Sequence, residues 1–317
     1  MQLLRAPSPP TATFPIRTVP KGPWAYLRIA GGCDRVCTFC AIPSFRGRFV
    51  SRPMDELLAE ARWLADGGAR ELVCVSENTT SWGKDLPDGR HGIVKLIRGF
   101  EQVDGLERVR LMYLQPAEII PELLDAMVAS PVVAPYYDLS LQHASEPVLN
   151  GMARSGSPER FLALIEGIRR RDPAAVFRSS FILGFPGETE RDVEVLAEFL
   201  RQARLDWAGF FTFSVEEGTP SATMPGQVPH EEAAARRDAM VELYEALAED
   251  NTAGFVGRTL DVLIEEQDGP DAVGRSYREA PETDGEVRLP GCEIPLGRML
   301  PVRITGADGV DLIGVPA

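Results

Sequence analysis

Cysteine is scarce in this chain: five residues in 317, an odd number, behind an N-terminus without the basic-then-apolar design of a secretory leader. A disulfide-stapled secreted fold is therefore not expected, because it needs paired cysteines and an oxidising compartment. No apolar run approaches the length of a membrane span, which excludes a transmembrane helix, and a cytoplasmic protein is expected. A formal charge of −14 speaks against a broad phosphate-gripping surface. The positive charge that exists is local. Residues 1–54 carry Arg5, Arg17, Lys21, Arg28, Arg35, Arg46, Arg48 and Arg52 against a single acid, Asp34. Hydrophobic content of 44% and charged content of 25% are ordinary for a globular chain long enough for one large domain and a small one.

Three of the five cysteines fall within eight residues, Cys33, Cys37 and Cys40, spaced C-x3-C-x2-C behind Gly31-Gly32. Three thiolates on one loop can hold three irons of a [4Fe–4S] cluster, leaving the fourth iron open to a small chelating molecule. A structural zinc site would need a fourth ligand. The usual second C-x2-C pair is absent, Cys74 lies in an apolar run, and Cys292 is far along the chain. With Phe39 ahead of the last cysteine, the motif resembles that of the radical S-adenosylmethionine (SAM) superfamily. The resemblance implies that SAM chelates the open iron and is cleaved by one electron to a 5′-deoxyadenosyl radical, which abstracts hydrogen from an unactivated carbon.

From residue 24 strand-like and helix-like segments alternate. Strands are expected at 25–30, 71–76, 109–113, 137–141, 176–183 and 207–213, with amphipathic helices at 54–66, 92–103, 121–129, 158–171 and 190–203 between them. Six such repeats imply an α/β fold with a parallel sheet of one handedness, a partial (β/α)6 barrel open on one side. Chemistry then gathers on the loops after the strands: the cysteine loop, 76–85, Gln115-Pro116, Gln142-His143-Ala144-Ser145, 184–188 and 214–218. Residues 1–22, rich in Pro, Thr and Ser, read as a linker. Residues 230–252 read as one helix, and from 252 onward short strands at 259–265, 273–277, 285–288, 300–306 and 309–314 predict a small antiparallel β-barrel. The expected division is thus 1–22, 23–251 and 252–317.

Several residues on the rim admit a structural reading beside a functional one. Gly184 and Gly187 suit a tight turn, and Thr189 with Asp192 fits a helix capping box. His143 can be a hydrogen-bonded core histidine or a direct participant. Glu188 is open to either role. Arg154 can pair with a cofactor carboxylate or stay solvated.

The cysteine loop continues through Ser44-Phe45-Arg46-Gly47-Arg48 and Ser51-Arg52-Pro53. With Ser76–Asp85, Leu141–Ser145, Phe181–Glu190 and Phe213–Thr219, it resembles the methylthiotransferases of the radical SAM superfamily, most closely the ribosomal-protein (RimO-like) branch. Residues 274–285 and 311–314 resemble that branch's TRAM domain. The resemblance implies addition of a methylthio group to the β-carbon of an aspartate in small-subunit ribosomal protein twelve. It implies Cys33, Cys37 and Cys40 as cluster ligands, with Phe39, Gln142, Arg154 and Ser180 seating SAM. Family members begin with a further domain carrying a second [4Fe–4S] cluster for sulfur delivery. Here that domain is missing, so a separate sulfur-delivering chain and an electron donor are expected partners.

Charge discriminates between substrates. Residues 252–317 hold six Arg and no Lys against twelve acids. An RNA-binding barrel is expected to be basic, whereas an acidic one suits a basic ribosomal protein. The sister (MiaB-like) branch, which modifies adenosine in transfer RNA, is the alternative, and a non-catalytic ribosome-interacting remnant is a third.

Overall fold

The computed structural model describes residues 20, 22–87, 89 and 92–317. The expected linker over 1–22 lies almost wholly outside them. Strand β1 (Trp24–Arg28) leads into a short antiparallel pair, β2 (Ala30–Gly31) with β3 (Val50–Ser51), and helix α1 (Ile42–Arg46) lies between the two. The chain then alternates α2 (Met54–Asp66), β4 (Glu71–Val75), α3 (Gly92–Phe100), β5 (Arg108–Leu111), α4 (Pro121–Ala129) and β6 (Tyr136–Gln142). It continues through α5 (Glu146–Gly151), α6 (Pro158–Arg171), β7 (Val176–Leu183), α7 (Glu190–Ala203), β8 (Trp207–Thr212) and the long α8 (His230–Ala253).

The six larger strands are parallel, as the βαβ pattern requires. They form two three-stranded sheets, β1-β4-β5 and β6-β7-β8, joined by bridges from Val109 to Val133 and from Leu114 to Leu139. Strands β1 and β8 do not pair, so the wall is a barrel left open on one side. Period-two alternation sorts the side chains. Leu27 of β1 and Ile29 just after it, and Phe177, Phe181 and Leu183 of β7, join the core beneath the helices. Tyr26 and Arg28, and likewise Arg178, Ser180 and Ile182, alternate with these and face the lumen.

The second domain is a closed barrel of β9 (Thr259–Asp268), β10 (Asp271–Arg275), β11 (Val287–Leu289), β12 (Met299–Asp308) and β13 (Asp311–Pro316), in the order β10-β11-β13-β12-β9. Two-residue turns join β9 to β10 and β12 to β13, with Gly269 and Gly309 both at φ +59°. Such glycine-first turns suit the twist of a hairpin. The barrel departs from the expected all-antiparallel pattern at one seam, where β11 and β13 run parallel. Residues 290–298 carry the chain across the barrel to pair β12 with β9, so the returning β13 reaches β11 in the same direction.

The small barrel docks under the N-terminal ends of the larger strands. Val73, Met112, Ala134, Tyr136, Val176 and Trp207 share one apolar cluster with the barrel's own core. Residues 275–285 cross beneath the lumen. There Trp207 Nε1 donates to the Arg278 carbonyl at 2.7 Å, and Tyr136 Oη donates to Asp284 at 2.6 Å.

Candidate active site

The cysteine loop begins and ends at the β2–β3 pair. Its neck is tightened by the Cys33 amide, which donates to the Gly47 carbonyl at 3.2 Å. Gly32 makes this closure possible, since it sits at φ +76° and a Cβ there would lie 2.1 Å from the Arg48 carbonyl oxygen. Further along, Thr38 fastens the loop to α5. Its amide reaches the Met152 carbonyl (3.2 Å), its hydroxyl the Gly151 carbonyl (2.7 Å), and its own carbonyl accepts from the Ser221 amide (3.0 Å).

On the opposite flank Arg35 pairs with Glu118, a residue that sequence reasoning did not single out. Glu118 also accepts from Asn78 (3.0 Å), Ser81 (2.6 Å) and Lys84, so one carboxylate gathers the cysteine loop and the loop after β4. Burial alone would raise its pKa. The hydrogen bonds from Lys84, Ser81 and Asn78 outweigh burial and bring it down to about 2.

Cys33, Cys37 and Cys40 stand together at the mouth of the half-barrel, each partly exposed. Burial, then repulsion from neighbouring thiolates, pushes the Cys33 and Cys40 thiols up. Soft, clustered thiols that resist ionisation alone fit an iron–sulfur centre whose positive irons reverse that balance. Cys74 is wholly buried and Cys292 lies in the second barrel, so neither joins them. Among the described residues no set of His, Cys, Asp or Glu is arranged to hold a single metal ion.

Arg154 lies against this group. Its Nη1 is 3.6 Å from Cys37 Sγ, while Nη2 donates to Gln115 Oε1 (2.9 Å) and to the Ser140 carbonyl. Phe39 and Gln142 line one cleft of about 270 Å³ with Ile182, Phe211 and Phe213, an apolar slot with polar edges of the kind a nucleoside fills. Gln142 holds φ +71°, a conformation unusual for a side-chain-bearing residue. Ser180 sits lower, on the lumen face of β7 beside Gly209, and does not line this cleft.

A second cleft of about 390 Å³ is lined by Arg28, Arg46, Val75, Ser76, Glu77 and Tyr113. Glu77 Oε1 lies 3.4 Å from Arg46 and 3.9 Å from Arg28, while Oε2 is buried without a donor. An orphaned acceptor beside two cations suits a zwitterionic ligand such as an amino acid moiety. The residues present therefore fit both a cluster and SAM. Glu77 stood within the loop after the second strand but carried no distinguishing signal in the sequence.

His143 and Glu188 form a buried structural lock instead. The Ser145 amide donates to His143 Nδ1 (2.9 Å), and Nε2 faces Glu188 Oε2 at 3.4 Å. Glu188 Oε1 accepts from the Gly184 amide and from Arg236 of α8, both at 2.9 Å. This fixes the 184–188 turn to the long helix. Thr189 caps α7, its amide donating to Asp192 at 2.9 Å.

Comparison with known proteins agrees with this geometry. The radical SAM superfamily matches residues 27–200, more than half of the chain, and a TRAM domain matches 256–316. Proteins described as "Ribosomal protein uS12 methylthiotransferase RimO" are similar throughout. That from Kineococcus radiotolerans is 50% identical over 95% of this chain and 63% of its own length. The Acidothermus cellulolyticus protein is 51% identical over 93% and 62%, and that of Cutibacterium acnes 48% over 95% and 62%. The chain thus spans under two thirds of these relatives. Among solved structures, the radical SAM methyltransferase TsrM from Kitasatospora setae, with cobalamin and a [4Fe–4S] cluster bound, superposes with a TM-score of 0.53 at 19% identity, over 63% of this chain and 38% of that one. Coproporphyrinogen III oxidase from Escherichia coli gives 0.51 at 16%, over 77% and 56%. The partial barrel with its cysteine loop makes this chain a member of the radical SAM superfamily, binding a [4Fe–4S] cluster and SAM, with a TRAM domain behind it.

Proposed function

We propose that this chain is the catalytic and TRAM portion of a methylthiotransferase that modifies the β-carbon of an aspartate in ribosomal protein uS12. The observation that carries the reading is half-identity to uS12 methylthiotransferases across both domains, with all three cysteines gathered at the mouth of the lumen. Cys33, Cys37 and Cys40 hold the cluster. Arg154, held by Gln115 and the Ser140 carbonyl, offers charge beside it. Phe39 and Gln142 would hold the adenosyl end of SAM and Glu77 its ammonium, while Ser180 stands on the lumen face of β7 outside that cleft. Bound there, cluster and SAM supply one-electron cleavage of a sulfonium and abstraction of a hydrogen atom. The protein's part is to orient the aspartate, exclude water and hold the loop rigid, and no general acid or base is required. An electron donor and a sulfur source, the second cluster of the longer relatives or a separate chain, complete the reaction in the cytoplasm.

The acidic second barrel supports a protein substrate over transfer RNA. Arg275 and Arg278, two of its six arginines, are buried against the larger domain, but so are Glu279 and the Asp284 side chain, so its outer surface keeps the acidic excess of its composition. Such a surface attracts a basic ribosomal protein and repels phosphates. The test is anaerobic reconstitution with iron and sulfide, followed by SAM, a reductant and a uS12 peptide deuterated at the β-carbon of its aspartate. Deuterium appearing in 5′-deoxyadenosine is the expected result. Absence of SAM cleavage, or salt-sensitive binding of transfer RNA in preference to uS12, would overturn the reading.

A further inference from the structure

A reaction at the β-carbon of an aspartate makes one demand that cluster and SAM do not meet: the side chain's own carboxylate needs a counter-charge at the mouth. The cleft of about 390 Å³ at the ends of β1, β4 and β5 is lined by two cations, Arg28 and Arg46. They are not equivalent. Glu77 Oε1 leans toward Arg46, at 3.4 Å, and lies 3.9 Å from Arg28 Nη2, beyond hydrogen-bond reach. Arg28 is held by backbone instead. Its Nε donates to the Ala30 carbonyl at 3.2 Å, and its guanidinium fills the space that a side chain at residue 31 would take, since a Cβ on Gly31 would stand 2.4 Å from Nη2. Among the described residues, Nη1 and Nη2 of Arg28 make no hydrogen bond, and the side chain is about half exposed. The outer edge of the guanidinium is therefore fixed in place and open to a ligand. Arg28 also closes strand β1, a firmer mount than the five-residue helix α1 that ends in Arg46. Arg154, the cation beside Cys37, is committed to Gln115 and the Ser140 carbonyl.

We propose that Arg28 is the substrate-recognition residue that takes the carboxylate of the target aspartate and so distinguishes it from asparagine. The proposal rests on the reading of the chain as acting on a protein aspartate. A guanidinium edge presents two parallel N–H donors, which match the two oxygens of a carboxylate. An asparagine amide has the same shape but turns its own donors toward that edge and carries no charge. The γ-carboxyl carbon is bonded to the β-carbon, so gripping the carboxylate fixes the reacting C–H one bond away. The grip is close to the cluster loop, because Gly31, against which Arg28 rests, is two residues before Cys33. Val75 and Tyr113 line the same cleft and offer apolar surface to the substrate's methylene. Glu77, once it holds the ammonium of SAM, no longer repels an incoming carboxylate. The arginine takes no part in breaking the C–H bond; it selects the residue and aims it.

The test uses the reconstituted full chain, saturated with SAM and kept without reductant so that nothing turns over, and two fluorescent uS12 peptides that differ only in aspartate or asparagine at the target position. The native chain is expected to bind the aspartate peptide about tenfold more tightly, the scale of one charge-assisted pair at a half-exposed site. Arg28→Gln should bring the two affinities together. Arg28→Lys, which keeps the charge and loses the paired donors, should leave an intermediate preference. Arg48→Gln removes an exposed cation outside this cleft and should keep the full preference. Full preference retained in Arg28→Gln would overturn the proposal alone. An equal loss in Arg48→Gln would also overturn it, by reducing the effect to the general field of the rim. So would a fall in SAM affinity in Arg28→Gln with the aspartate preference intact, which would make Arg28 a ligand of SAM. A native chain that binds neither peptide would overturn the protein-substrate reading, and the proposal with it.

Discussion

Arg275 of the second barrel donates through Nη2 to Oε2 of Glu71, at the foot of β4, at 3.0 Å. Glu71 also accepts from Arg110 Nε at 3.0 Å and lies 3.4 Å from Arg108 Nη1. The two β5 arginines reach on to the carbonyls of Arg275, Ser276, Tyr277 and Glu279. A single carboxylate thus binds three guanidiniums at the interface. Glu71→Ala would leave Arg108 and Arg110 buried without a carboxylate, while Arg275 keeps Glu265, so a loss of about 3–5 kcal/mol is expected in urea unfolding.

The same contact predicts an acid limb. Burial by itself raises the Glu71 pKa, but Arg275, Arg110 and Arg108 outweigh it and hold the group at about 2. Because the folded value lies below the unfolded one, the stabilisation is complete above the ordinary carboxylate range and disappears as pH falls toward about 2. Unfolding free energy measured from pH 6 downward should fall across that window, and in Glu71→Gln the fall should be shallower.

Glu118 makes the cysteine loop depend on its neighbour. Three of its partners, Asn78, Ser81 and Lys84, come from the loop after β4, and the fourth, Arg35, lies between the first two cysteines. Glu118→Ala is expected to lower iron retention and to raise the rate of amide hydrogen exchange between residues 33 and 40. Glu118→Gln, which still accepts hydrogen bonds, should recover part of both. Unchanged exchange in the alanine variant would show that the Thr38 anchors suffice.

How far the sequence could be read follows from what kind of contact each feature makes. The parallel strands were legible because each is an apolar run of strand length followed by a turn and an amphipathic helix. The cysteines were legible because their spacing is local. The lock between His143, Glu188 and Arg236, and the hub at Glu118, bring together residues from separate loops. No periodicity marks such encounters. Short α5 was hidden by its Pro and Gly, and the parallel β11–β13 seam by the fact that strand pairing across a crossover has no signature in composition. The acidic count of the second barrel was correct as a sum but mixed two populations, since Arg275, Arg278 and Glu279 turn inward.

Asp206 offers the opposite pH dependence. Burial raises its pKa to about 6, partly offset by the Phe177 amide it accepts at 2.9 Å. With the folded value above the unfolded one, the native state holds the proton more tightly. Its contribution to stability therefore falls as pH rises from about 4 to about 6 and is flat beyond. Asparagine can accept the same amide without charge. Asp206→Asn is expected to gain on the order of 2–3 kcal/mol at pH 8 and nothing at pH 4, as read from denaturation midpoints at the two values.

The cysteines allow a separation by substitution. Cys33, Cys37 and Cys40 are partly exposed and mutually close, whereas Cys74 is packed in the core with its thiol pushed well up by burial alone. A metal centre built on the first three should be lost when any one becomes alanine, because each thiolate serves its own iron. Cys292→Ala, far from the mouth, should retain full iron content, and Cys74→Ala should retain it at a stability cost of about 1–2 kcal/mol for the lost sulfur packing. Iron and sulfide assay with visible absorbance gives the first readout. Alkylation of the apo protein gives the second: the three accessible loop thiols should react in the folded chain, and Cys74 only after unfolding. Iron that persisted in Cys37→Ala yet vanished in Cys74→Ala would place the centre elsewhere, and with it the assignment of Arg154 as its neighbour.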